Sequence, residues 1–66
     1  MNSNQYIKKR RIAMGLTIND VAKYVGVSGA TVSRWENGVI ANMKRDKLKK
    51  LAEVLHTSPI ALMNNL

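Results

Sequence analysis

Apolar residues recur along this chain at helical spacing, interrupted by glycines and small polar residues. Ile7, the stem of Arg11 and Met14 share one face at i, i+4, i+7, predicting a first helix over residues 4–14 that Gly15 stops. Thr17 is a good N-cap for a second helix, which turns Val21, Ala22 and Val25 inward and ends at Gly26. Ser28 caps a third, with Val32 and Trp35 together at i, i+3 and a stop at Asn37-Gly38. A fourth, over residues 44–55, buries Leu48, Leu51, Ala52 and Leu55. His56 then falls where helix-ending residues take positive φ, a conformation in which His is enriched. The last helix is short: Ser58 caps it, Pro59 takes the first helical position, and Ile60 to Met63 follow. No run alternates strictly and no hairpin signal joins such runs, so no strand is predicted. The expected fold is all-α, with the longest connection running from Gly38 to Met43.

Length and composition narrow the picture. A chain of 66 residues is expected to form one domain, residues 1–66, with a small core. An apolar content of 45% is too high for a disordered tail. There is no cysteine and only one histidine, so neither a disulfide nor a metal site is expected, and no cofactor. Four acidic residues and His56 assemble no nucleophile–base pair or carboxylate pair, which speaks against an enzyme. The longest apolar run is the four residues Ile60 to Met63, whereas a membrane span needs about 20 and a signal peptide about 7–15. The cysteine-free composition fits a reducing cytoplasm, the expected location.

Charge is the first functional clue. Eleven basic residues against four acidic give a net charge of +7, spread over both halves of the chain. Such an excess suggests a polyanionic partner, either nucleic acid or an anionic membrane surface. The strong tertiary pattern argues against membrane binding by separate amphipathic helices.

Helices two and three carry the most specific signal. Two helices joined by a turn of about three residues pack at a steep angle. Ala22 supplies the small residue at their closest approach, and Gly26 tolerates positive φ at the turn. Val32 and Trp35 supply the inner face of the second helix, which makes Trp35 a core residue rather than a stacking platform. With these residues the sequence resembles the phage-repressor and Cro-like, or Xre, helix-turn-helix family. The matching positions are Gly15-Leu16-Thr17, Val21-Ala22, Val25-Gly26-Val27-Ser28, Val32-Ser33 and Trp35-Glu36-Asn37-Gly38. Leu51-Ala52, Leu55 and Ser58 to Leu62 match the family's last two helices. The resemblance covers nearly the whole chain. It implies a compact five-helix, lambda-repressor-like all-α domain with its helix-turn-helix over about 17–37. It further implies that helix three docks in the major groove of double-stranded DNA, usually as a dimer on a near-palindromic site.

The family reads bases with the first two residues of helix three and a residue one turn later, here Gly29, Ala30 and Arg34. Arg34 is the strongest candidate, since a guanidinium binds guanine O6 and N7 bidentately. Ala30 suits a thymine methyl, and Gly29 offers only backbone. Thr31 and Ser33 lie nearby, within reach of phosphate or base edges. Asn37 matches a backbone-contacting position of the family. Thr17 and Ser28 are phosphate candidates whose capping role comes first. Lys44 and Arg45, with Lys47, cluster at the start of helix four as further phosphate contacts, and Lys8, Lys9 and Arg10 are weaker candidates. Arg11 and Glu36 match an ion pair by which similar family members tie helix one to the end of helix three.

The sequence also departs from the family. Many members carry Gln at the first position of helix two, where it clamps a phosphate and braces helix three; this chain has Ile18 there, and Gly29 where a polar residue is common. That leaves Ile18 as an exposed apolar residue available to a protein partner. The alternative function is accordingly a protein-binding module, an antirepressor or antitoxin, using Ile18 and the apolar loop. Ile60, Met63 and Leu66 are the expected homodimer contacts, with simple closure of the core by the last helix as the competing reading. Val39, Ile40 and Met43 are likewise unclaimed by the core. With no dimerisation domain in the sequence, the expected context is a phage Cro-like repressor of a lysis–lysogeny switch or a detached DNA-binding domain.

Overall fold

The computed structural model describes residues 5–40 and 43–65; Leu66, named above as a dimer contact, lies outside them. Among the described residues there are five helices and no strand: α1 (Gln5–Ala13), α2 (Ile18–Val25), α3 (Gly29–Glu36), α4 (Arg45–Val54) and α5 (Pro59–Asn64). α2 packs against both α3 and α4, α1 against α3, and α5 against α4. Their shared interior holds Ile7, Val21, Ala22, Val25, Val32, Trp35, Leu51, Ala52, Leu55 and Leu62.

Local chemistry sets the helix ends. Thr17 Oγ1 accepts from the Asp20 N–H at 3.0 Å, and Asp20 Oδ2 accepts from the Thr17 N–H at 2.9 Å, a closed capping box. Gly26 ends α2 in the left-handed region (φ 86°), returning its N–H to the Ala22 carbonyl at 2.8 Å. Ser28 caps α3 through the Thr31 N–H, and Ser58 caps α5 through the Ala61 N–H, with Pro59 at its start. His56 takes the expected positive φ (54°) after α4.

Two ties fasten α1. Arg11 Nε donates to Glu36 Oε2 at 2.6 Å and Nη2 to Oε1 at 3.4 Å, while Nη1 donates to the Leu16 carbonyl at 3.0 Å. Glu36 is 8% exposed and Arg11 12%, so the pair is nearly dry and its remaining capacity is met by backbone. Arg10 makes the second tie. Its Nη2 donates to the carbonyls of Leu55 (2.8 Å) and His56 (2.7 Å), satisfying oxygens that the end of α4 leaves unpaired. Among the described residues no buried side-chain nitrogen or oxygen lacks a partner.

Several inward expectations shift. α1 ends at Ala13, and Met14, carried off the helix by the turn into Gly15 (φ 72°), is exposed rather than continuing the Ile7–Arg11 face; Leu16 packs on the core instead. Leu48 is only half-buried against the core. Ile40 and Met43 are not spare: both pack against the interior, and of these three residues Val39 alone stands exposed. Leu62 closes the core at α5, whereas Ile60 (72% exposed) and Met63 (60%) face outward. No helix among the described residues is long and apolar enough to cross a membrane.

Candidate nucleic-acid interface

α3 is divided lengthwise by its own periodicity. Val32, Trp35 and Glu36 are buried, while Ala30, Arg34 and the following Asn37 are exposed. Fixing the inner residues against α1 and α2 therefore fixes which side chains face outward. Arg34 stands exposed on the outer side.

Beside it runs a groove of about 270 Å³ between α3, Val39, Met43 and the start of α4. Val27, Trp35, Val39 and Met43 supply its apolar surface, and Thr31, Arg34, Lys44 and Lys47 its polar and cationic side chains. Three cations thus converge on one face although Arg34 is separated from the lysines by a loop. The Lys47 amine leans toward the end of α2, 3.5 Å from the Val25 carbonyl. Arg45 is exposed at the first position of α4, next to Lys44.

The hydroxyl candidates are engaged in local structure. Thr17 and Ser28 act as caps, as their position predicts. Ser28 Oγ and Thr31 Oγ1 also lie 3.0 Å apart. Asn37 Nδ2 donates to the Ser33 carbonyl at 3.0 Å, which closes the end of α3 and leaves Oδ1 outward-capable only as an acceptor. Ser33 is half-buried and lies outside the groove lining. Backbone and side-chain hydrogen bonds from Thr17 hold the Asp20 carboxyl below its usual value of 3.8, keeping it charged at the start of α2.

Two sequence readings change here. Ile18 is half-buried against the core rather than a free apolar side chain, because α2 leans its first turn on α3. Arg10 is spent on the end of α4, so it is a structural residue and not a phosphate candidate. The groove's apolar surface is signalled in part by Val39 and Met43, loop residues unclaimed by the core in sequence; only the fold brings them beside Val27 and Trp35. Among the described residues, no group of three or more His, Asp or Glu gathers in a way that would hold a metal ion.

Comparison with known proteins agrees with this architecture. Residues 7–62 match the helix-turn-helix family. The chain belongs to that family: it is a helix-turn-helix DNA-binding domain of the Xre type. It is 45% identical over 51 residues to the uncharacterized HTH-type transcriptional regulator RghRB of Bacillus subtilis (strain 168), a match covering 77% of this chain and 37% of that protein. It is 52% identical over 40 residues to the HTH-type transcriptional repressor RghR of the same organism, covering 61% of this chain and 30% of that protein. The matched segments thus span about a third of these curated relatives. No solved structure matches the chain significantly.

Proposed function

We propose that the domain is the sequence-reading part of a transcriptional regulator that docks α3 in the major groove of a near-palindromic operator as a homodimer. The observation that carries this reading is the division of α3. Its inner face is locked into the core, and its outer face sets Arg34 beside Lys44 and Lys47 in one cationic groove. Arg34 reads a guanine; Lys44, Arg45 and Asn37 hold flanking phosphates; Gly29 and Ala30 allow close approach, Ala30 against a thymine methyl. Thr17, Ser28, Thr31 and Ser33 support the docking turn, the first two through the backbone N–H groups they orient. The Cα extents, 26 × 24 × 20 Å, fall short of the roughly 34 Å between successive half-sites, so two copies are needed for a two-fold site.

Exposed Ile60 and Met63, with Leu66, form the pairing surface in this reading. Blocking a promoter-overlapping operator makes the protein a repressor, as the relative RghR is named, in the manner of a phage Cro-like switch protein. The second reading, a regulatory protein partner, is favoured by the apolar surface among the groove's cations.

Selection from a randomised duplex library at physiological salt tests the proposal. Enrichment of a two-fold-symmetric site is the expected outcome. Salt-sensitive binding with no enriched site would reject specific readout and favour the protein partner. Sedimentation of Ile60→Asp tests the pairing surface: an unchanged association constant removes Ile60 from it.

A further inference from the structure

Resting on the DNA-reading function proposed above, the first turn of α3 holds a further feature. Its own side chains are short. Gly29 has none, Ala30 ends at a methyl, and the Thr31 hydroxyl lies against Ser28 Oγ. Gly29 is not a glycine of backbone necessity, for its φ is not among the positive ones, which belong to Gly15, Gly26 and Gly38. What sets it apart is space. A methyl group on Gly29 would lie 3.0 Å from Asn19 Oδ1 and 3.5 Å from Ile18 Cγ2. The first distance is tighter than most carbon atoms keep, so a side chain beginning at Gly29 would press on the Asn19 carboxamide and shift it.

Asn19 is exposed, and among the described residues its side chain makes no hydrogen bond. Its neighbours Thr17 and Asp20 are by contrast closed on each other. Ile18 packs against the core beneath it and braces the first turn of α2 without offering a polar atom.

We infer that Asn19 is a base-reading residue of this protein, supplying from α2 the polar group that α3 lacks at its first position. A carboxamide has one acceptor and one donor edge. Oδ1 accepts from adenine N6–H while Nδ2 donates to N7, a pairing that neither a glycine nor an alanine can make. Gly29 is then a positioning residue: its missing Cβ leaves the carboxamide where it meets the base. The readout of each half-site has two parts, a guanine under Arg34 and an adenine under Asn19.

The test is the duplex-library selection run on wild type, Asn19→Ala, Gly29→Ala and the double variant, each checked for folding by its thermal transition. In Asn19→Ala, preference at one A·T position per half-site should fall at least about five-fold, with the guanine position kept. Gly29→Ala should weaken the same A·T position and add nothing once Asn19 is removed. Two results would overturn the inference. One is an unchanged preference in Asn19→Ala; the other is uniformly weaker binding to every sequence with a shallower salt dependence, which marks a phosphate contact. A wild type that enriches no site overturns the DNA-reading function together with this inference, so the two failures are distinguishable.

Discussion

The two sides of α3 are built by opposite rules. On the inner side Val32, Trp35 and Glu36 are buried, and the one charge there is matched by Arg11 at 2.6 Å. On the outer side Arg34 is exposed and three cations share a groove without a carboxylate among its lining residues. Folding pairs the inner charge with an opposite one, whereas no carboxylate lines the groove that holds the outer ones. Like charges gathered on one face cost a little stability, and a polyanion is what would offset that cost. Under the proposed function, the inner residues hold α3 in place and the outer ones read DNA.

The largest expected effect breaks the inner side. Glu36→Ala leaves the Arg11 guanidinium nearly buried with only the Leu16 carbonyl, and should cost about 3–5 kcal/mol in thermal or denaturant unfolding. Asp46→Ala, on the exposed first turn of α4, should cost far less, and equal small losses would refute the division. Next comes the turn that sets α2 against α3. Gly26→Ala meets only ordinary contact, with Lys47 Nζ 3.6 Å from the new carbon, but its φ of 86° disfavours a side chain by about 1–2 kcal/mol.

On the outer side, Lys44→Ala should leave the unfolding midpoint nearly unchanged. It should reduce the log–log salt slope of DNA binding by about 0.9 if Lys44 neutralises one phosphate. The smallest effect belongs to Asp20. Its folded-state pKa lies below the usual 3.8, so its contribution to stability is complete above that value and fades as pH falls through the lower folded pKa. Acid titration of wild type and Asp20→Ala should therefore diverge at neutral pH and converge in strong acid; parallel curves would show that the capping carboxyl contributes nothing.

Much of this was legible in the sequence because it is local. Caps at Thr17, Ser28 and Ser58, the turn at Gly26 and the positive φ of His56 follow from the residues themselves. The buried stripe of α2 follows from period. Pairings far apart along the chain were harder. Arg10 and Arg11 are adjacent arginines, yet one binds a carboxylate and the other two backbone carbonyls near residue 55. Periodicity points the stem of Arg11 inward, whereas carbonyls leave no trace in the identity of a side chain. The period of α2 by itself leaves Ile18 exposed; the lean of α2 on α3 half-buries it. Likewise nothing in the identity of Gly29 places Asn19 Oδ1 3.0 Å from where its Cβ would stand.

The central claim is that the outer side of α3 carries sequence information and the inner side does not. It is tested most directly by titrating Arg34→Ala against the duplex that wild type selects and against a scrambled duplex at the same salt. The account predicts that the ratio of the two affinities falls about 5- to 150-fold, while the unfolding midpoint stays near that of wild type. An unchanged ratio, with binding to both duplexes weakened alike, would contradict it.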